Sequence, residues 1–178
     1  DDLVPREQVQ PSSYVAIADG TKRHNMAKVY AGYYSYNTDS SKIPEVVPED
    51  QQQVVPMIVI VKCGTEAEAM DKKPGNRGKR DSQMICMNFL NRVHFDSEMT
   101  PMELEIYHQI KNVIGVNPSF YEFVLMVDAD TEVEPDGLNR LVSSFVHDAK
   151  IIGLCGETKL SNEKDTWVTM IQVYEYFI

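Results

Sequence analysis

The sequence is poor in cysteine, has no basic excess and contains no long apolar run, and each absence removes a class of protein. Cys63, Cys86 and Cys155 are its three cysteines, widely spaced and without a C-x-x-C pair. An odd, scattered set indicates neither a disulfide framework nor a zinc site, and a reducing compartment is expected. Lys and Arg total 17 against 27 Asp and Glu, a formal net charge of −10. A duplex-nucleic-acid binder normally carries the opposite sign, so no nucleic-acid partner is expected. No apolar stretch approaches the ~20 residues of a membrane-spanning helix. The acidic opening Asp1-Asp2-Leu3 lacks the basic start of a signal peptide. There is no initiator Met, and the last residues, 173–178, are mostly apolar. We therefore expect an excerpt of a longer protein, and an isolated chain that is prone to aggregate. His24, His94, His108 and His147 share no metal-ligand spacing, and no Ser/His/Asp arrangement is suggested.

The remaining composition is that of an ordinary globular domain. The 178 residues are 25% charged and 43% hydrophobic, enough for one domain of ~150 residues with a core. Residues 13–18 read as a strand, and 25–36 as a second strand or a short helix. Residues 38–53 form a polar segment with Pro44, Pro48 and a Gln triplet, a variable loop. Residues 54–63 and 121–127 are continuous apolar runs of the kind that suits strands buried on both faces. Residues 151–155 read as a third short buried strand. Helices are expected from Asp81 or Ser82, with Met84, Ile85, Met87, Leu90 and Val93 as the apolar set. Another starts at Thr100-Pro101 and stops near Gly115, and others follow Pro135 and Trp167. Buried strands alternating with helices predict an α/β fold with a mostly parallel sheet flanked by helices.

Three segments carry candidate chemistry. In Phe123-Val124-Leu125-Met126-Val127-Asp128-Ala129-Asp130-Thr131 an apolar strand ends in two aspartates one residue apart. Continued extended geometry would project Asp128 and Asp130 to one side. There they would repel each other unless a cation sat between them, and Mg²⁺ or Mn²⁺ bridging to a diphosphate does this. A solvated strand-to-helix turn is the alternative. The second segment, Lys72 to Ser82, places five basic residues and two glycines within nine positions of an otherwise acidic chain. Gly75 and Gly78 allow close backbone approach, and Lys79 stands where an ammonium meets a phosphate at a helix start. The G-x-x-x-x-G-K-[ST] spacing of a P-loop is absent, and an exposed basic loop without a ligand is the alternative. The third is Gly153-Leu154-Cys155-Gly156-Glu157-Thr158-Lys159, where Glu157 is able to accept hydrogen bonds from sugar hydroxyls or simply to be solvated in a tight turn.

Five blocks together carry a resemblance. They are residues 18–30 (Ala-Asp-Gly-Thr-Lys-Arg-His-Asn-Met-Ala-Lys-Val-Tyr) and 73–83 (Lys-Pro-Gly-Asn-Arg-Gly-Lys-Arg-Asp-Ser-Gln). Val127-Asp128-Ala129-Asp130-Thr131, Cys155-Gly156-Glu157-Thr158 and residues 167–177 follow in order. Over residues 14–178 the chain resembles the fungal chitin synthases, processive inverting glycosyltransferases of family two. Its wording is nearest the larger division of that family, some of whose members carry a myosin-motor-like domain. The resemblance implies that residues 1–178 are part of one catalytic domain, with a GT-A-type, Rossmann-like mixed sheet. It implies UDP-N-acetylglucosamine as donor and a growing β-1,4 chitin chain as acceptor. It implies Mg²⁺ or Mn²⁺ as cofactor, and a membrane-embedded parent acting at the cytosolic face of the plasma membrane in cell-wall synthesis. Asp128 and Asp130 match the family's metal and diphosphate motif, Lys79 the lysine facing UDP, and Glu157 the segment flanking the sugar pocket. The general-base aspartate, in a Glu-Asp-Arg context, and the Gln-x-x-Arg-Trp motif are expected beyond Ile178, so no catalytic residue is assigned within these residues and the isolated chain is expected to be inactive. The uracil-contacting aspartate is expected upstream of Asp1, and Asp19 only resembles such an acid. The competing readings are another processive transferase, of the cellulose or hyaluronan synthase type, and a non-catalytic α/β module binding a metal-diphosphate.

Overall fold

Alternation of apolar and small residues from Tyr14 onward builds a β-sheet that packs one face on two helices. A computed structural model describes residues 8–35 and 54–177. The polar loop expected at 38–53 lies outside the described residues. The chain divides into two compact units, Asp1–Val124 and Leu125–Ile178.

In the first unit, β1 (Ser12–Val15), β2 (His24–Ser35) and β3 (Val54–Lys62) form a sheet in the order β1-β2-β3. Both pairings are antiparallel, with Ser12 opposite Ala27 and Val29 opposite Ile60. The mostly parallel sheet expected from the sequence is thus corrected. A parallel pair needs a crossover of a dozen or more residues, usually a helix. Between β1 and β2 the chain makes only a short 3₁₀ turn, Gly20–Arg23, closed by the Ala16 N–H donating to the Arg23 carbonyl at 2.8 Å. β3 also departs from burial on both faces. Ile58 and Ile60 pack against the core while Val55, Met57, Val59 and Val61 are exposed. This period of two marks an antiparallel sheet with one face on the core.

The helices that cover the inner face are α1 (Gly78–His94) and α2 (Pro101–His108). α1 buries Ile85 and Phe89, four apart, whereas Met84 and Met87 of the expected apolar set are exposed. α2 begins with a complete capping box. The Thr100 N–H donates to Glu103 Oε2 at 2.7 Å, and the Glu103 N–H returns to Thr100 Oγ1. The helix continues through a π-helical turn, Gln109–Ile114, and stops where Gly115 takes φ 85°. The core consists of Tyr14, Ala16, Ala27, Val29, Ile85, Phe89, Met102, Ile106 and Ile110.

In the second unit, α3 (Gly137–His147) and α4 (Trp167–Phe177) form where the sequence predicts helices. The strands expected at 121–127 and 151–155 do not form, because a strand needs a ladder of hydrogen bonds and no described strand pairs with either run. No described helix is long and apolar enough to cross a membrane.

Candidate functional site

The basic loop of the first unit is braced from below by buried polar groups. Asp81, in the first turn of α1, is 2% exposed. One carboxylate oxygen accepts from the Tyr14 hydroxyl at 2.8 Å and from Lys62 Nζ at 3.2 Å, and the other accepts from the Ile17 N–H at 2.9 Å. Lys62 Nζ also donates to the Gly78 carbonyl at 2.9 Å. Asn25, fully buried, donates from Nδ2 to the Tyr14 hydroxyl at 2.8 Å and to the Gly75 carbonyl at 3.0 Å. Burial first, and the acceptor Asp81 second, push the Tyr14 hydroxyl well above the usual tyrosine range.

The loop itself crosses on two glycines. Gly64 (φ 78°) and Gly75 (φ 70°) approach so closely that a Cβ on Gly75 would lie 2.3 Å from the Gly64 nitrogen. Glu68 closes the loop. It accepts from the Gly75 N–H at 3.0 Å and forms a two-point pair with the Arg77 guanidinium. The Arg77 hydrogen bond is the first cause holding the Glu68 carboxyl below its ordinary value. Arg77 Nε further donates to the Lys22 carbonyl at 2.7 Å, tying the 3₁₀ turn to the loop. Arg77 is therefore a strut, while Lys72, Lys73, Lys79 and Arg80 of the same loop are exposed. The expected cap at Asp81 or Ser82 is displaced: α1 starts at Gly78, with Arg77 in the capping position.

Lys79 is thus the second residue of α1, on a helix start whose position is fixed by Lys62 and Asp81. It is exposed at the helix end that favours anions.

Asp128 and Asp130 belong to the second unit. The Thr131 N–H donates to the Asp128 carbonyl at 3.0 Å, closing a turn over Ala129 and Asp130. The extended geometry expected from the sequence stops at Asp128, because this turn competes with further extension. Both residues are exposed. Two carboxylates suit a hard divalent cation that keeps several waters and takes its other ligands from phosphate. No cluster of three or more His, Cys, Asp or Glu among the described residues makes a complete protein cage. Glu157 lies in an irregular segment of the same unit, with Oε1 3.8 Å from Lys159 Nζ, both side chains largely exposed.

Sequence reasoning found the basic loop but missed its supports Tyr14, Asn25, Lys62 and Glu68. The available signal was Lys62, a charge closing an apolar strand, placed to meet an acid.

A mixed α/β chain with a braced basic loop and a separate acidic turn is the class these features define. The family model described as chitin synthase matches residues 1–178, and the chain belongs to that family. Among curated relatives, chitin synthase C of Emericella nidulans is 57% identical over the whole chain, which covers 14% of that protein. Chitin synthase 4 of Pyricularia oryzae is 56% identical over the whole chain, again 14% of its length. Chitin synthase 3 of Candida albicans is 58% identical over 98% of the chain and 14% of its own length. The chain spans about one seventh of these relatives. No solved structure matches.

Proposed function

We propose that the chain is part of one GT-A-type glycosyltransferase catalytic domain of a chitin synthase. The whole protein would transfer N-acetylglucosamine from UDP-N-acetylglucosamine to a growing β-1,4 chitin chain, with inversion, for the fungal cell wall. In this reading the parent is embedded in the plasma membrane and works at its cytosolic face. The carrying observation is family membership across all 178 residues.

Lys79 faces the donor diphosphate and offsets its charge, as a point charge at a helix start. Asp128 and Asp130 would hold Mg²⁺ or Mn²⁺, a hard cation whose further ligands are water and phosphate oxygen. When bound, that cation supplies Lewis-acid stabilisation of the leaving phosphate. Glu157 accepts hydrogen bonds from hydroxyls of the donor sugar. In the reaction the acceptor 4-hydroxyl oxygen bonds to the anomeric carbon as the bond to UDP breaks. Its proton goes to a carboxylate outside these residues.

The test is calorimetric binding of UDP to the folded chain, with and without Mn²⁺, repeated for Asp130→Ala. The expected result is Mn²⁺-dependent binding that the variant weakens about 100-fold, or ~2.7 kcal/mol. Binding indifferent to Mn²⁺, or retained by Asp130→Ala, overturns the metal assignment.

A further inference from the structure

Burying a carboxylate costs several kcal/mol of desolvation, and an apolar side chain in its place serves a core as well or better. Asp81 is nevertheless 2% exposed in α1, which elsewhere buries Ile85 and Phe89. Its partners come from separate parts of the first unit. Tyr14 is on β1, Ile17 follows β1, and Lys62 ends β3. All of this converges on the first turn of α1, where Lys62 also holds the Gly78 carbonyl. The same Tyr14 hydroxyl accepts from Asn25, which holds the Gly75 carbonyl of the loop. The network thus grips the chain on both sides of Lys79, at residues 75 and 78 before it and at residue 81 after it.

Helical geometry converts this grip into a direction. Residues two apart on an α-helix differ by ~200° about the axis. With Asp81 drawn inward by three hydrogen bonds, Lys79 must leave on the opposite side, and it is exposed there. A long lysine otherwise carries large rotamer and backbone freedom that ligand binding would have to remove.

We infer that Asp81, through Tyr14 and Lys62, is the positioning residue that aims Lys79 at the donor diphosphate. This rests on the reading of Lys79 given above and adds a role to a buried group that never touches the donor. Removing Asp81 should weaken donor binding through Lys79, leaving turnover of bound donor largely intact.

The test is steady-state kinetics of the intact enzyme with UDP-N-acetylglucosamine, on Lys79→Ala, Asp81→Asn and the double variant. Lys79→Ala should raise the donor KM about tenfold or more, and Asp81→Asn about fivefold, with kcat within about twofold. The double variant should be no worse than Lys79→Ala alone, because Asp81 acts only through Lys79. A core role alone predicts multiplied effects and loss of active enzyme, without this dependence on Lys79. Tyr14→Phe, which deletes one oxygen and keeps the ring, runs the same cycle if Asp81→Asn does not fold. Effects that multiply, or an unchanged KM in both Asp81→Asn and Tyr14→Phe, overturn the inference while leaving Lys79 as a donor ligand. An unchanged KM in Lys79→Ala overturns the Lys79 reading itself, and the inference with it.

Discussion

Gly75 shows how much a single missing side chain decides. Its φ of 70° is one that L side chains rarely adopt, and a Cβ there would meet the Gly64 nitrogen at 2.3 Å and the Cys63 carbonyl carbon at 2.7 Å. Left-handed backbone alone costs a non-glycine residue ~1–2 kcal/mol. The clash is with backbone, which cannot swing away. Gly75→Ala should therefore destabilise the loop by more than that figure. Thermal unfolding of the intact protein should show a drop of several degrees, where the half-buried Gly32→Ala, with open space at its Cβ, shows far less. A second residue sets a pH limit. The Tyr14 hydroxyl is held protonated above its ordinary range by burial and by Asp81. In the unfolded chain a tyrosine loses its proton near ~10. Above that pH the unfolded state binds fewer protons than the folded one, so stability falls as pH rises. The unfolding midpoint should decline between about pH 10 and 11 more steeply in the wild type than in Tyr14→Phe, which has no proton to lose. Equal slopes would show that Tyr14 ionises normally.

The elements were legible where their signals are local. Thr100-Pro101-Met102-Glu103 contains its own capping instructions, and the capping box is present with Pro at the start of α2. Gly115 ends the following turn in the left-handed conformation, as its sequence position suggests. The basic loop was legible as a composition anomaly. The partner of each cation was not, because Glu68 and Arg77 meet only through a loop that crosses on Gly64 and Gly75. Strand pairing was the least legible. A run such as residues 54–63 is apolar at every position but one or two, so period two is invisible in it. Only the pairing with β2 separates the inward Ile58 and Ile60 from the outward valines. The capping box permits a graded test. Thr100→Ala should cost about 0.5–2 kcal/mol. Glu103→Ala should cost more, because it also leaves Arg92 without the partner it has in the folded protein, although Arg92 is about a third exposed and part of that loss is screened. Unfolding midpoints that rank the two variants in the reverse order would show that the Arg92 pair adds nothing measurable to Glu103.

At the scale of the whole molecule, the unusual feature is how much apolar surface faces outward. On β3, Val55, Met57, Val59 and Val61 are 39% to 54% exposed on one face of the sheet. β3 is also the end of the strand order, and its second edge has no described partner. A long, apolar, unpaired edge templates association with another chain. The apolar side chains at Tyr121 and at Phe123 to Val127 add a further 45–50% exposed run. The chain as an isolated species should accordingly self-associate, in spite of a net charge of −10 that would keep a better-covered surface apart. Light scattering of the purified chain tests this. Val59→Lys places a charge in the middle of the outward face and should raise the monomer fraction severalfold without harming the fold. Ile60→Lys puts the same charge one residue further along, on the face against the core, and should abolish the folded state, because register alone separates the two positions. Monodisperse, cooperatively unfolding wild-type chain, or equal effects of the two lysines, would show that the outward face of β3 is not what drives association.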